Sequence, residues 1–159
     1  MDNALLTLEE LCQQRQIWKG QGKRVVFSNG CFDLLHPGHI TYLQDAKALG
    51  DILIIGLNDD ASIRRLKGEA RPINALQDRA MMLAALKPVD AVVAFSEDTP
   101  FHLISALLPD ILVKGGDYTV DNIVGADVVQ AAGGHVTTIA FLEGYSSTRL
   151  MQKIIDLES

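Results

Sequence analysis

The sequence predicts an α/β protein, with a parallel sheet of five strands lying between two layers of helices. Two observations carry that prediction. Five short apolar or β-branched runs recur along the 159 residues, and stretches of helical periodicity fill the gaps between them. The runs are apolar almost throughout, as in strands buried on both faces, rather than alternating as half-exposed strands do.

The elements follow in order. Residues 4–18 carry Leu5, Leu8, Leu11 and Cys12 at helical spacing, which predicts an N-terminal helix closed by Gly20 and Gly22. The strands are read at Val25–Ser28, Ile52–Leu57, Ala91–Phe95, Ile111–Val113 and Val136–Ala140. Helices are read at 40–49, 60–66, 75–86, 101–108 and 123–132. A last helix, 147–157, sets Leu150, Ile154 and Leu157 on one side. With no repeat, low-complexity segment or linker, the expectation is one domain over 1–159: an N-terminal helical part, 1–22, and a core, 23–159.

Composition narrows the function classes. The formal charge of −6 argues against a nucleic-acid partner, whose phosphates call for Lys and Arg. Six of the 14 basic residues nonetheless fall between positions 64 and 87, which suits a small anionic ligand or simply a solvated face. Two cysteines, Cys12 and Cys31, are too few for a disulfide framework, and both are read as reduced thiols. The N-terminus lacks the pattern of a secretory signal, and no apolar stretch is long enough for a membrane span. These features lead to the expectation of a cytoplasmic protein with no membrane partner.

In parallel sheets of this kind, ligands collect at the carboxyl ends of the strands. The residues just after each apolar run are therefore the informative ones: 29–39, 58–60, 96–98, 114–118 and 142–148. His36 and His39, two of the chain's four histidines, lie in the first of these. Pro37 suits the first turn of a helix, since its missing N–H would be unpaired there. His36 then sits at the helix start and His39 one turn on, on the same face. Gly38 between them lets a bulky group approach the backbone. Free amides and the helix dipole would add to an anion site. Ordinary cap and surface histidines are the competing reading. Zinc is disfavoured, because His102 and His135 lie at a mid-helix and a pre-strand position and the cysteines are unpaired.

The run Gly30-Cys31-Phe32-Asp33-Leu34-Leu35-His36-Pro37-Gly38-His39 resembles the G-x-F-D-x-x-H-x-G-H signature of the cytidylyltransferase-like nucleotidyltransferases. Further motifs follow in order: Arg65-Leu66-Lys67-Gly68, Arg71-Pro72-Ile73-Asn74, Gln77-Asp78-Arg79, Glu97-Asp98-Thr99-Pro100, the run 109–118, Ile123-Val124-Gly125-Ala126 and Gly144-Tyr145-Ser146-Ser147-Thr148. Together, over roughly residues 23–155, they resemble the nucleotidyltransferase domain of the bifunctional bacterial heptose enzymes of lipopolysaccharide synthesis. The resemblance implies a Rossmann-like three-layer sandwich with strand order 3-2-1-4-5, its switch point between strands one and four.

The implied activity is transfer of AMP from ATP to D-glycero-D-manno-heptose 1-phosphate, giving ADP-heptose and pyrophosphate. The rivals are nucleotidyltransferases for another acceptor, of the glycerol 3-phosphate cytidylyltransferase or phosphopantetheine adenylyltransferase type, and a non-catalytic nucleotide-binding module. Those heptose enzymes carry a sugar-kinase domain ahead of this one. The chain reads as the free-standing version, so a separate sugar kinase is expected to supply the acceptor. The N-terminal amphipathic segment and the apolar helices would allow a homodimer.

The resemblance also implies roles. His36 and His39 would grip the triphosphate, with Lys67 closing over it and Arg79 touching phosphate. Ser28, Asn29, Gly30, Cys31, Phe32, Asp33 and Gly38 would line the nucleotide, with Cys31 as packing and Asp33 as a turn former or as the orienter of a donor or a metal-bound water. Ser146, Ser147 and Thr148 would cap the last helix and hold the β- and γ-phosphates. Lys114, Gly115, Gly116, Asp117 and Tyr118 would read the acceptor. Mg²⁺ would accompany ATP, with no protein ligand assigned. One departure stands out: relatives tend to place an arginine shortly before the 143–148 loop, and here the position is Phe141.

Overall fold

A computed structural model of the chain describes residues 4–116 and 118–158. The sheet has six parallel strands rather than five. In chain order these are β1 (Leu5–Leu6), β2 (Val25–Gly30), β3 (Ile52–Asn58), β4 (Ala91–Phe95), β5 (Ile111–Gly115) and β6 (His135–Ile139). Their spatial order is β1-β4-β3-β2-β5-β6. The five strands read from the sequence thus take the expected relative order, and the addition is an edge strand against β4.

That addition corrects the N-terminal helix. Thr7 closes a capping box with Glu10: its Oγ1 accepts from the Glu10 amide at 3.1 Å, and the Glu10 carboxylate accepts from the Thr7 amide at 2.8 Å. Helix α1 therefore begins at Leu8 and runs to Gly20. The two leucines before the cap are extended and pair with Val92 and Val93. The signal was Thr-x-x-Glu at 7–10, outweighed in the sequence by the periodicity of the leucines.

The other helices are α2 (Pro37–Lys47), α3 (Asp60–Lys67), α4 (Leu76–Ala84), α5 (Phe101–Leu107), α6 (Ala126–Ala131) and α7 (Ser147–Leu157), with a 3-10 turn at Val120–Asn122. Alternation along the strands sends side chains to two separate cores. Val25 and Phe27 of β2 join Leu11 of α1, Leu103, Ile104 and Leu107 of α5 and Val129 of α6. Val26, between them, joins Leu43 and Ala46 of α2 and Leu83 of α4 on the opposite face. Every residue of β3 is buried, as a strand covered on both sides must be. Among the described residues, no helix is long and apolar enough to cross a membrane.

The chain leaves β2 in one direction across the sheet, to β3 and β4, and returns to β5 on the other side. The β2–β5 boundary is therefore the switch point, where crossovers diverge and leave a crevice at the strand ends.

Candidate active site

β2 ends at Gly30, and the chain turns sharply before α2. Phe32 takes a left-handed φ of 47°, which folds its ring back over Gly30. A Cβ on Gly30 would stand 2.8 Å from that ring, so glycine is required there. The Phe32 ring in turn meets His39, with centroids 5.2 Å apart.

His36 is the extended N-cap of α2, and Pro37 is its first helical residue, as expected from the sequence. Nδ1 of His36 accepts from the Gly38 amide at 3.1 Å, and Nδ1 of His39 accepts from the His36 amide at 3.3 Å. The two rings stack with centroids 3.9 Å apart. With each Nδ1 accepting, a neutral imidazole carries its proton on Nε2, so both rings keep one N–H for a ligand.

One expectation is corrected here. The first-turn amides of α2 are not free: Gly38 N–H goes to His36, His39 N–H goes to the His36 carbonyl at 3.0 Å, and Pro37 has none. The directed donors at this tip are the imidazoles.

Burial pushes both histidines toward the neutral form. His36 is lowered by burial, and His39 is lowered to about 4 by burial first, then by His36 and by Lys67. The folded His39 thus holds its proton more weakly than the unfolded one, whose ordinary value is 6.5. As pH falls, the unfolded chain protonates first, so this contribution to stability is complete above 6.5 and is lost on descent toward 4. We expect the His39 ring to titrate by NMR near 4, with the thermal midpoint falling over that window. A His39 midpoint near 6.5 would contradict the buried, neutral ring.

Two lysines act on this turn through Cys31. Lys67, the exposed last residue of α3, acts electrostatically on both His39 and Cys31. Lys114, near the end of β5, also acts on Cys31 and sets its ammonium 5.4 Å from the Tyr118 ring centroid. Burial nonetheless leaves the Cys31 thiol raised, which suits the packing role read for it. Gly115 and Gly116 follow Lys114, with Gly116 at φ 100°. Asp117 lies outside the described residues.

Helix α7 starts beside α2. Ser146 caps it by accepting from the Arg149 amide at 3.1 Å. Ser147 Oγ donates to the Leu34 carbonyl at 3.1 Å, tying α7 to the histidine loop. Tyr145 lies near-parallel to the His36 ring, with centroids 6.4 Å apart, and its Cβ packs over Gly38. A side chain on Gly38 would strike the His36 ring at 2.8 Å. Thr148 is exposed at the mouth.

Three expected ligand contacts prove to be internal supports. Arg79 is 0% exposed, with Nε donating to Asn74 O at 2.9 Å, Nη1 to Cys31 O at 2.9 Å and Asn58 O at 2.8 Å, and Nη2 to Asp60 Oδ1 at 2.7 Å. It has no face left for phosphate. Asp33 is buried and accepts from the amides of Ile73 and Asn74 at 2.7 and 2.8 Å. Ser28 is buried against the Tyr42 hydroxyl at 2.6 Å. Arg79 and Asp33 thus lace the 68–75 loop, which follows Lys67, onto the loop that carries the histidines. Asn58 and Asp60 fell among the strand-end residues singled out from the sequence, and Asn74 within one of its motifs, without a role assigned to them; Tyr42 escaped the sequence reading. The available signal was local only for Tyr42, three residues after His39 on the same helical face.

The family model described as cytidylyltransferase-like matches residues 27–153. The chain belongs to this family. It is 59% identical over 137 residues to the bifunctional protein HldE of Geobacter sulfurreducens, covering 86% of this chain and 28% of that protein. It is 53% identical over 155 residues to the HldE of Syntrophotalea carbinolica, covering 98% of this chain and 32% of that protein. The chain therefore spans less than a third of each of these relatives. A solved lipopolysaccharide core biosynthesis protein from Thermoplasma volcanium superposes with a TM-score of 0.61 at 30% identity, over 79% of this chain and all of that one. A pantoate–beta-alanine ligase from Francisella tularensis, at 16% identity and a TM-score of 0.58, over 98% of this chain and 80% of that one, shares the fold.

Proposed function

We propose that the chain is a sugar 1-phosphate adenylyltransferase, which transfers AMP from ATP to D-glycero-D-manno-heptose 1-phosphate and releases pyrophosphate. The carrying observation is the stacked pair His36–His39, each ring with Nε2–H unspent, at the switch point of the sheet. The heptose acceptor is supported by the length and identity of the match to HldE proteins.

The anomeric phosphate of the acceptor is already an anion at neutral pH. One of its oxygens attacks the α-phosphorus of ATP; the new P–O bond forms as the bond to the bridging oxygen breaks, and pyrophosphate leaves with the electron pair. No proton need be removed from the nucleophile, so positioning and charge neutralisation supply the rate. His36 and His39 donate to phosphate oxygens as their charge grows. Lys67 and Lys114 offset the negative charge from the α3 and β5 sides. Of Ser146, Ser147 and Thr148 at the start of α7, Ser147 Oγ donates to the Leu34 carbonyl, so the Ser146 hydroxyl proton and the exposed Thr148 hydroxyl are the donors left for the β- and γ-phosphates.

Mg²⁺ would travel with ATP. Among the described residues, no group of three His, Cys, Asp or Glu side chains could hold a metal ion. When bound, the cation would neutralise phosphate charge, held largely by phosphate oxygens and water. In this reading a sugar kinase supplies the acceptor.

The test offers ATP with each anomer of heptose 1-phosphate and follows pyrophosphate. Turnover with one anomer is expected. Turnover only with CTP and glycerol 3-phosphate, or only with ATP and phosphopantetheine, would replace this reading.

A further inference from the structure

We propose that Phe141 is the platform on which the nucleobase stacks, and that it favours a purine over a pyrimidine. The inference rests on the nucleotidyltransferase reading above. Phe141 lies two residues beyond the end of β6 and is 69% exposed, the most exposed aromatic ring among the described residues. One side of its ring is nonetheless covered. It lies against Gly115 and Gly116, where an added Cβ would approach it to 2.7 and 2.9 Å. The glycine pair therefore lets the ring rest on backbone at the end of β5, with the remainder of it in water.

The position suits a base. The Cβ position of Gly115 is also touched by Tyr42, at 3.2 Å. Tyr42 stands three residues after His39, on the same face of α2 and about 4.5 Å along its axis. Phe141 and Tyr42 thus meet at Gly115, and Tyr42 belongs to the helix whose first turn carries the imidazoles proposed to hold the triphosphate. The other exposed rings near the mouth are engaged: Tyr145 runs parallel to His36, and Tyr118 lies under the Lys114 ammonium. A phenyl face left in water gains nothing from the fold, whereas a base laid on it removes apolar surface from both partners. The two fused rings of a purine cover more of that face than the single ring of a pyrimidine.

The experiment compares the full chain with Phe141→Ala, Phe141→Leu and Phe141→Trp. Calorimetry gives ATP and CTP affinities, and pyrophosphate release gives KM and kcat. Phe141→Ala is expected to weaken ATP about tenfold and CTP less, with kcat changed little. Phe141→Leu, which keeps bulk without a π face, should not restore ATP affinity. Phe141→Trp should restore it, with indole emission quenched by ATP beyond any change in the wild type, whose only indole is Trp18. ATP affinity within twofold of wild type in Phe141→Ala, full affinity in Phe141→Leu, or a change confined to the acceptor's KM would overturn the proposal. If the wild type binds ATP but turns over no acceptor, the function reading fails while the affinity series still decides the stacking. A wild type that binds no ATP overturns both.

Discussion

We expect His39→Ala to lower kcat about 100-fold and to change ATP affinity by no more than about threefold. The reason is where the ring's free N–H acts. A donor aimed at charge that develops during displacement contributes more to the transition state than to the ground state, at about 3 kcal/mol per donor in an enclosed site. The ring is also held in place before ATP arrives: its Nδ1 takes the His36 amide, and its faces meet His36 and Phe32. Removing it costs an organised donor rather than a loose contact. His39→Asn, which keeps a side-chain N–H but shortens its reach, should recover part of the loss. Steady-state kinetics with the cognate acceptor, alongside ATP calorimetry, separate the two effects. A His39→Ala enzyme with near-normal kcat, or one whose whole loss lies in ATP affinity, would remove His39 from the chemistry.

Arg79→Met is expected to destabilise the fold by about 3 kcal/mol, a drop of about 10 °C in thermal midpoint for a chain of this size. Arg79 has no exposed surface, and its fork satisfies three carbonyls and the Asp60 carboxylate at once. Methionine fills much of the volume and leaves those acceptors unpaired. Lysine should not rescue, because a compact ammonium cannot span four acceptors arranged for a planar fork. Asp60→Asn should cost less, since the Asp60 side chain is 32% exposed and water replaces part of the bond. Thermal unfolding of the three variants checks the order. A midpoint within 2–3 °C of wild type for Arg79→Met would mean that the carbonyls find other partners. Activity should fall as well, because the same fork joins Cys31, ahead of the histidines, to Asn74, beyond Lys67.

The fold was largely legible because its signals are local and repeated. The strand runs from Val25, Ile52, Ala91 and Ile111 are apolar enough to declare burial on two faces, the last run, read from Val136, lies in the half-exposed edge strand β6 that begins at His135, and helices α3, α5 and α7 begin where their periodicity begins. Leu5 and Leu6 were misread because two residues cannot display a period of their own, and the edge pairing with Val92 and Val93 is a long-range event. The histidine turn was readable because Pro37 fixes φ at a helix start and Gly38 leaves room beside the backbone. Arg79 was not: an arginine in a basic stretch reads equally well as a phosphate ligand or as a buried clamp. Its partners Cys31 and Asn58 lie 48 and 21 residues away.

By itself the sequence determined the α/β rhythm, the strand–turn–helix that carries His36 and His39, and the capping of α7 by a hydroxyl of the 146–148 run, since each depends on neighbours within a few positions. Only the tertiary structure decided which polar side chains remain for a ligand. Arg79, Asp33 and Ser28 are consumed by partners remote in sequence, while the two histidines spend Nδ1 on backbone amides and keep Nε2 for a ligand. The reason is stoichiometric: a buried donor or acceptor must find a partner, and only the folded chain shows which have already found one.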